Sequence, residues 1–257
     1  MNLYYANPMI NLKPTALLRT LIRPIKTLVD IPESQVEPRS VSVDPLSAPD
    51  FFGLGGLTNV TKLFEHRVHL GHKSMLRNEY MTPYLFGSRQ GVDIIDLDQT
   101  VSLLFDALNF TAHIAYRNGI ILFVCQNQQM LPLVEKTARK VGEYSACRRW
   151  PNGLFTDSER RFGQTVRLPD LVILISTLTT LATPHPVITE AAKMLIPTVG
   201  VVDTNCDPRL ITYPVPGNDD SPISIRLWCG LFAEAISRAK LRRDWAKDGR
   251  RRKDLPT

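Results

Sequence analysis

The stretch Leu171-Val-Ile-Leu-Ile-Ser176 sets five apolar side chains in a row, Val172, Ile173 and Ile175 branched at Cβ, with no polar residue alternating among them. A strand half in water alternates; an unbroken run belongs to a strand covered on both faces, in the middle of a parallel sheet. Ile120-Ile-Leu-Phe-Val-Cys125 and Thr198-Val-Gly-Val-Val-Asp203 read the same way. Helical periodicity flanks these runs. From about Asp98 to Asn118 the residues Val101, Leu104, Phe105, Leu108, Ala112 and Ala115 form one stripe, stopped by Asn118-Gly119. A second helix spans Val187 to Leu195 after Pro186. A last, long one starts at Ser221-Pro222, a hydroxyl cap followed by a first-turn proline, and runs toward Arg242. This succession predicts right-handed crossovers and a three-layer α/β/α sandwich, hence class α/β. No internal repeat is visible.

Outward from this core the two ends differ. The chain has 257 residues, 44% of them apolar, which suits one sizeable core with extensions. Its net charge of +6 is concentrated in Arg238 to Thr257, which hold nine Lys or Arg against three Asp. Such a tail either seeks a polyanion or is a solvated helix end. Met1 to Val29 contain Lys13, Arg19, Arg23 and Lys26 and no acidic residue. Acid-poor and basic is the pattern of a mitochondrial presequence, although Pro24 would kink its helix. Asp30 to Asp50 is acidic and proline-rich and reads as an extended linker. The expected division is therefore a presequence-like segment and linker over 1–58, an α/β domain over 59–240 and a basic tail over 241–257. No apolar run approaches the roughly 20 residues of a spanning helix, so no membrane is expected. Cys125, Cys147, Cys206 and Cys229 are scattered without a C-x-x-C pair, which argues against a zinc ribbon or a disulfide framework.

Parallel sheets bind ligands at the carboxyl ends of their strands. After Cys125 comes Gln126-Asn-Gln-Gln129, after Ser176 Thr177-Leu-Thr-Thr180, and after Asp203 Thr204-Asn-Cys-Asp-Pro208. None of these leads into a dinucleotide fingerprint or a P-loop. Gly53-Leu-Gly55-Gly56 precedes every strand and reads as loop. Ser176 and Asp203 offer two members of a triad, but no nucleophile elbow supports one, and an Asp closing a strand is commonly a turn-former. His66-Arg-Val-His-Leu-Gly-His72 carries three of the five histidines. A helix brings i and i+3 together and turns i+6 away, so a metal site there needs a loop at Gly71.

Several stretches, in order, resemble one family: the second protein of the small ribosomal subunit, ribosomal protein S2, in its mitochondrial form. They are Val68-His-Leu-Gly-His72, Pro83-Tyr-Leu-Phe-Gly87, Ile94-Ile-Asp-Leu97, Gly119-Ile-Ile-Leu-Phe-Val124, Arg149-Trp150, Pro169-Asp-Leu171, Ile196-Pro-Thr-Val199, Val202-Asp-Thr-Asn-Cys-Asp-Pro208, Tyr213-Pro-Val-Pro-Gly-Asn-Asp-Asp220 and Ser224-Ile-Arg-Leu227. The resemblance covers roughly Leu63 to Lys240. It implies a flavodoxin-like (Rossmann-like) sheet. It also implies a structural, non-enzymatic constituent of the mitochondrial small subunit, docked at the neck between head and body and touching ribosomal RNA and neighbouring proteins. The site is then the mitochondrial matrix, with no cofactor, metal or small-molecule substrate. The sequence departs from the family in three places. Bacterial members carry a long helical hairpin where only 18 residues separate Trp150 from Pro169 here, about 27 Å as a single helix, so that coiled-coil insertion is largely absent. Pro151 and Asn152 replace the family's Leu-Gly. After His72, Met75, Leu76, Tyr80 and Thr82 stand where basic residues are usual, leaving Lys73 and Arg77.

The resemblance covers His69 and His72 but not His66, so a three-histidine metal site loses its support. His69, Gly71, His72 and Lys73 can contact phosphate or ribose, the positioning kind of RNA contact; equally, the two histidines can satisfy buried polar groups. Arg148 and Arg149 beside Trp150 form a cationic fork next to a ring that stacks on a base or belongs to the core. Arg77 and Arg89 are further phosphate candidates. Arg242 and Arg243 are candidates on charge alone. Two rival classes stand against the ribosomal reading: an α/β enzyme with a cofactor at the strand ends, and a protein-interaction module outside the ribosome.

Overall fold

The computed structural model describes residues 45–253 apart from 47, 164–165 and 181–182, with side chains in the final helix through residue 246. The presequence-like segment and most of the linker lie outside the described residues. The three apolar runs become strands β4 (Ile121–Val124), β6 (Leu171–Leu174) and β7 (Thr198–Val202). They pair in parallel, Ile121 opposite Leu171 and Val172 opposite Thr198. β5 (Tyr144–Ala146) and β8 (Tyr213–Pro216) complete a five-stranded parallel sheet in the order β5-β4-β6-β7-β8. Renumbered along the chain this is 2-1-3-4-5, the flavodoxin-like order, whose switch point lies between β4 and β6.

Both faces of the sheet are covered, as the unbroken runs required. Leu171, Ile173 and Ile175 point into one core, shared with α2 (Leu97–Tyr116), α3 (Leu131–Val141) and α6 (Pro222–Lys253). Val172 and Leu174 point into the other, with Trp150, Phe155 and α5 (Pro186–Lys193). The α2 stripe falls where its periodicity put it: Leu104, Leu108, Ala112 and Ala115 are all fully buried. Asp96 caps its start by accepting the Asp98 N–H at 3.1 Å.

A second, three-stranded antiparallel sheet, order β1-β3-β2, was not evident in the sequence. It is built from β1 (Leu70–Lys73), β2 (Leu85–Arg89) and β3 (Val92–Ile95), after a short helix α1 (Val60–Glu65). Gln90 and Gly91 join β2 to β3, both at positive φ (53° and 74°), the two-residue turn whose twist matches a hairpin. The packed body also starts upstream of residue 59. Phe51, Phe52 and Leu54 are buried against α2 and α6, so the Pro/Gly-rich surroundings concealed a core-forming pair of rings. At the other end α6 runs unbroken past residue 241.

Among the described residues between Trp150 and Pro169 there is no helical hairpin. They form a loop with one short helix, α4 (Ser158–Phe162), and Trp150 packs edge-on to Phe155 with centroids 5.0 Å apart. Glu190 of α5, only 7% exposed, anchors this loop by accepting the N–H groups of Gly153 (2.6 Å) and Phe155 (2.9 Å).

Candidate functional site

β1 carries His72 to the carboxyl end of the parallel sheet, and Gly71 makes this approach possible. A Cβ at position 71 would sit 2.3 Å from Thr204 Cγ2, inside contact distance. The His72 N–H then donates to Thr204 Oγ1 at 2.9 Å. Its ring lies between two carboxylates, Nδ1 3.3 Å from Asp203 and Nε2 3.2 Å from Asp220. These two carboxylates, Asp203 foremost, raise the imidazole to about 10 against its loss of water, so it is protonated at neutral pH. Asp220 is held below the ordinary carboxylate range by the same pair. The buried Asp219 carboxyl moves the other way, pushed well up by loss of water and then by the charges of Asp203 and Asp220.

His72, Asp219 and Asp220 line a cleft of about 230 Å³ at the switch point, together with Gln126, Asn127, Ser176 and Asn205, with Asp203 behind the His72 ring. The Asp203 and Asp220 carboxylates outnumber the one imidazolium, which makes the cleft hostile to phosphate, and thus to the nucleotides that such folds often hold there. Asp203 does meet a histidine and Ser176 lines the same cleft, but they do not form a triad. The Ser176 hydroxyl donates to the Leu178 carbonyl and bonds to Asp219, while a doubly paired imidazolium is not available as a general base. Donor atoms of His72, Asp203 and Asp220 lie within 4.8 Å of one another, a set able to take a divalent cation in competition with the His72 proton.

The three histidines of the His66–His72 stretch diverge. His66 Nδ1 bonds the Lys62 carbonyl at 2.7 Å, and His69 stacks on Phe64 with centroids 4.3 Å apart, its pKa lowered by burial. Lys73 and Arg89 both pair with Val92 from opposite sides of β3 and are exposed. Two strand spacings, about 10 Å, separate them, so they form a cationic pair at one end of this small sheet, one on each of its outer strands. Arg77 is engaged elsewhere: its guanidinium grips the fully buried Asp93 through two nitrogens. Arg148 and Arg149 are exposed at the carboxyl end of β5, while Trp150 is core. Arg242 and Arg243 sit at the opposite end of the sheet. Arg242 lies 5.0 Å over the Phe51 ring; Arg243 donates to the Ala115 carbonyl and to Asn118 at the end of α2. The candidates thus fall on at least two surfaces.

The ribosomal protein S2 family model matches residues 63–167 and 159–239. The small ribosomal subunit protein uS2m of Bos taurus is 56% identical over 200 residues, 78% of this chain and 68% of that protein. This chain belongs to the ribosomal protein S2 family. Bacterial members are more distant: uS2 of Rickettsia massiliae and of Rickettsia bellii are each 34% identical over 221 positions, which cover 69% of this chain. Of those 221 positions about 177 fall on this chain, 69% of its 257 residues, so about 44 have no counterpart in it. For the bovine relative the 200 positions equal 78% of the chain, with no such surplus. The family match breaks in two over 159–167, within the short loop that Glu190 anchors.

Sequence reasoning missed Asp219 and Asp220 as partners of His72 and treated Asp203 as a turn-former. Asp203 does shape its turn, accepting the Thr204 N–H at 2.5 Å, and also faces the histidine. The one available signal was the Asn-Asp-Asp run after a strand. Asp207 behaves as a turn-former, capping Pro208–Leu210 by accepting the Arg209 N–H.

Proposed function

We propose that this chain is a structural constituent of the mitochondrial small ribosomal subunit, holding small-subunit ribosomal RNA and neighbouring ribosomal proteins at the neck and acting in translation through the particle. The observation that carries this reading is 56% identity to uS2m over 200 positions without the surplus that separates the chain from the bacterial proteins. The acid-poor, basic N-terminal segment supports matrix targeting. Chemistry at the strand ends supports a non-enzymatic role: the histidine is protonated between two carboxylates, and burial raises Cys147 and Cys206 there, like Cys229 in α6, to about 12, far from a reactive thiolate. Exposed Lys73, Arg89, Arg148 and Arg149 are the phosphate contacts this reading favours, since Arg77 is committed to Asp93. Depleting the chain from cells and restoring it tests the reading. Loss and recovery of assembled small subunits, with large subunits unchanged, is the expected result; normal small subunits in its absence would refute it.

A further inference from the structure

The basic end of the chain resolves into two parts once side-chain partners are assigned. The first four cations clamp α6 to the body. Arg238 pairs with Glu234 and donates to the Gly53 carbonyl; Lys240 pairs with Glu143 at 2.5 Å and donates to the Val141 carbonyl. Arg242 covers Phe51, and Arg243 caps the end of α2. The face of the helix that these contacts leave open begins here: Leu241 is 53% exposed and Trp245 57% exposed. The pair is spaced i,i+4, so both side chains lie on one face. Trp245 is a large flat ring turned to solvent, whereas Trp150 and Trp228 are buried at 5% and 0%. Downstream of it the helix carries Lys247, Arg250, Arg251, Arg252 and Lys253 against Asp248.

We propose that the end of α6, from Leu241 onward, is a contact for single-stranded RNA in which the Trp245 indole stacks on an unpaired base and the cations after it neutralise the adjoining phosphates. An exposed aromatic ring beside a cluster of fixed positive charge is the pairing that holds single strands without reading sequence. A protein groove would take the Leu241–Trp245 face equally well on apolar grounds, but it gives no reason for five cations within the next eight residues; a polyanion does. Arg242 and Arg243 then act as positioning residues, setting the helix direction, and do not touch the RNA. This assignment rests on the RNA-binding role proposed above.

The full chain carries its own probe, because iodide reaches the exposed Trp245 and not the two buried indoles. The experiment titrates the protein with small-subunit ribosomal RNA and with a single-stranded oligonucleotide, reading affinity and iodide quenching together. RNA should shield Trp245 from iodide. Trp245→Ala should weaken single-strand binding about tenfold, while Trp245→Phe stays within about twofold of the native chain. Replacing Arg250, Arg251 and Arg252 together with Ser should lower the slope of log affinity against log salt by about 2. Melting curves of the Trp245 variants should match the native chain, since this ring is 57% exposed. Native binding with unshielded Trp245 and an unweakened Trp245→Ala variant would overturn the inference while leaving the RNA-binding role intact. Failure of the native chain to bind either RNA would remove that role and this contact with it, and shielding that needs a ribosomal protein in place of RNA would assign the face to a protein and overturn the proposal.

Discussion

Replacing His72 with Gln tests how the cleft is held together. In the native chain the imidazolium faces Asp203, 1% exposed, and Asp220, and it offsets the charge around buried Asp219. Its rise from 6.5 to about 10 corresponds to roughly 5 kcal/mol at 1.36 kcal/mol per pH unit, a ceiling. Asp220 is 71% exposed at its side chain, so water screens that half of the pair, and roughly 3 kcal/mol is the working figure. For a body of this size that is a loss of about 6–12 °C in melting temperature. The sign is fixed by linkage. A histidine raised on folding contributes its full stability below pH 6.5 and loses it as pH climbs through about 10. Asp219, also raised, disfavours the fold once pH exceeds the ordinary carboxylate range, which tilts stability the same way at lower pH. Circular-dichroism melts of native and His72→Gln protein at pH 6, 7.5 and 9 supply the comparison. The gap should be largest at pH 6 and should shrink by pH 9. A variant as stable as the native chain at pH 6, or a gap that widens with pH, would refute the assigned pairing.

Other outcomes follow from particular contacts. Gly71→Ala drives a methyl into Thr204, fully buried and branched, and should destabilise the fold by about 1–3 kcal/mol with loss of the His72–Asp203 approach; an unchanged melt would show that β1 can shift freely. Arg77→Ala leaves Asp93 buried and unpaired and should lower the midpoint of denaturant unfolding, whereas Lys73→Ala and Arg89→Ala should melt normally yet weaken RNA binding and flatten its salt dependence. Glu190→Ala strands the Gly153 and Phe155 N–H groups and should cost about 2–3 kcal/mol, with faster proteolysis of the 151–163 loop as the local readout; a loop cut at the native rate would remove Glu190 as its anchor.

The central sheet was legible because its strands are buried on both faces, so Leu171–Leu174 needs nothing but apolar residues and shows no competing period. β8 was not, since Tyr213-Pro-Val-Pro216 alternates with prolines and holds no apolar run. Prolines 214 and 216 are tolerated there because β8 is the sheet edge, a fact of topology and not of local propensity. β1 and β2 are short and largely solvent-facing, with burial patterns that carry little alternation. At the site, residue types pointed to His72 and Lys73, but partners lay out of reach of any spacing rule. His72 meets Asp203 and Asp220 from more than 130 positions away, and Arg77 and Arg243 turned inward to groups that only the folded chain brings near. Charge marked the basic end of the chain as a feature. Which of its cations are engaged depended on where α6 lies against α2 and Phe51.

The most direct measurement is a sucrose gradient of mitochondrial lysate carrying a tagged copy of the chain, with protein and small-subunit RNA followed in every fraction, before and after ribonuclease. The account predicts a protein peak coincident with the small subunit that leaves that position on digestion. A chain that stays at the top of the gradient in both conditions would contradict it.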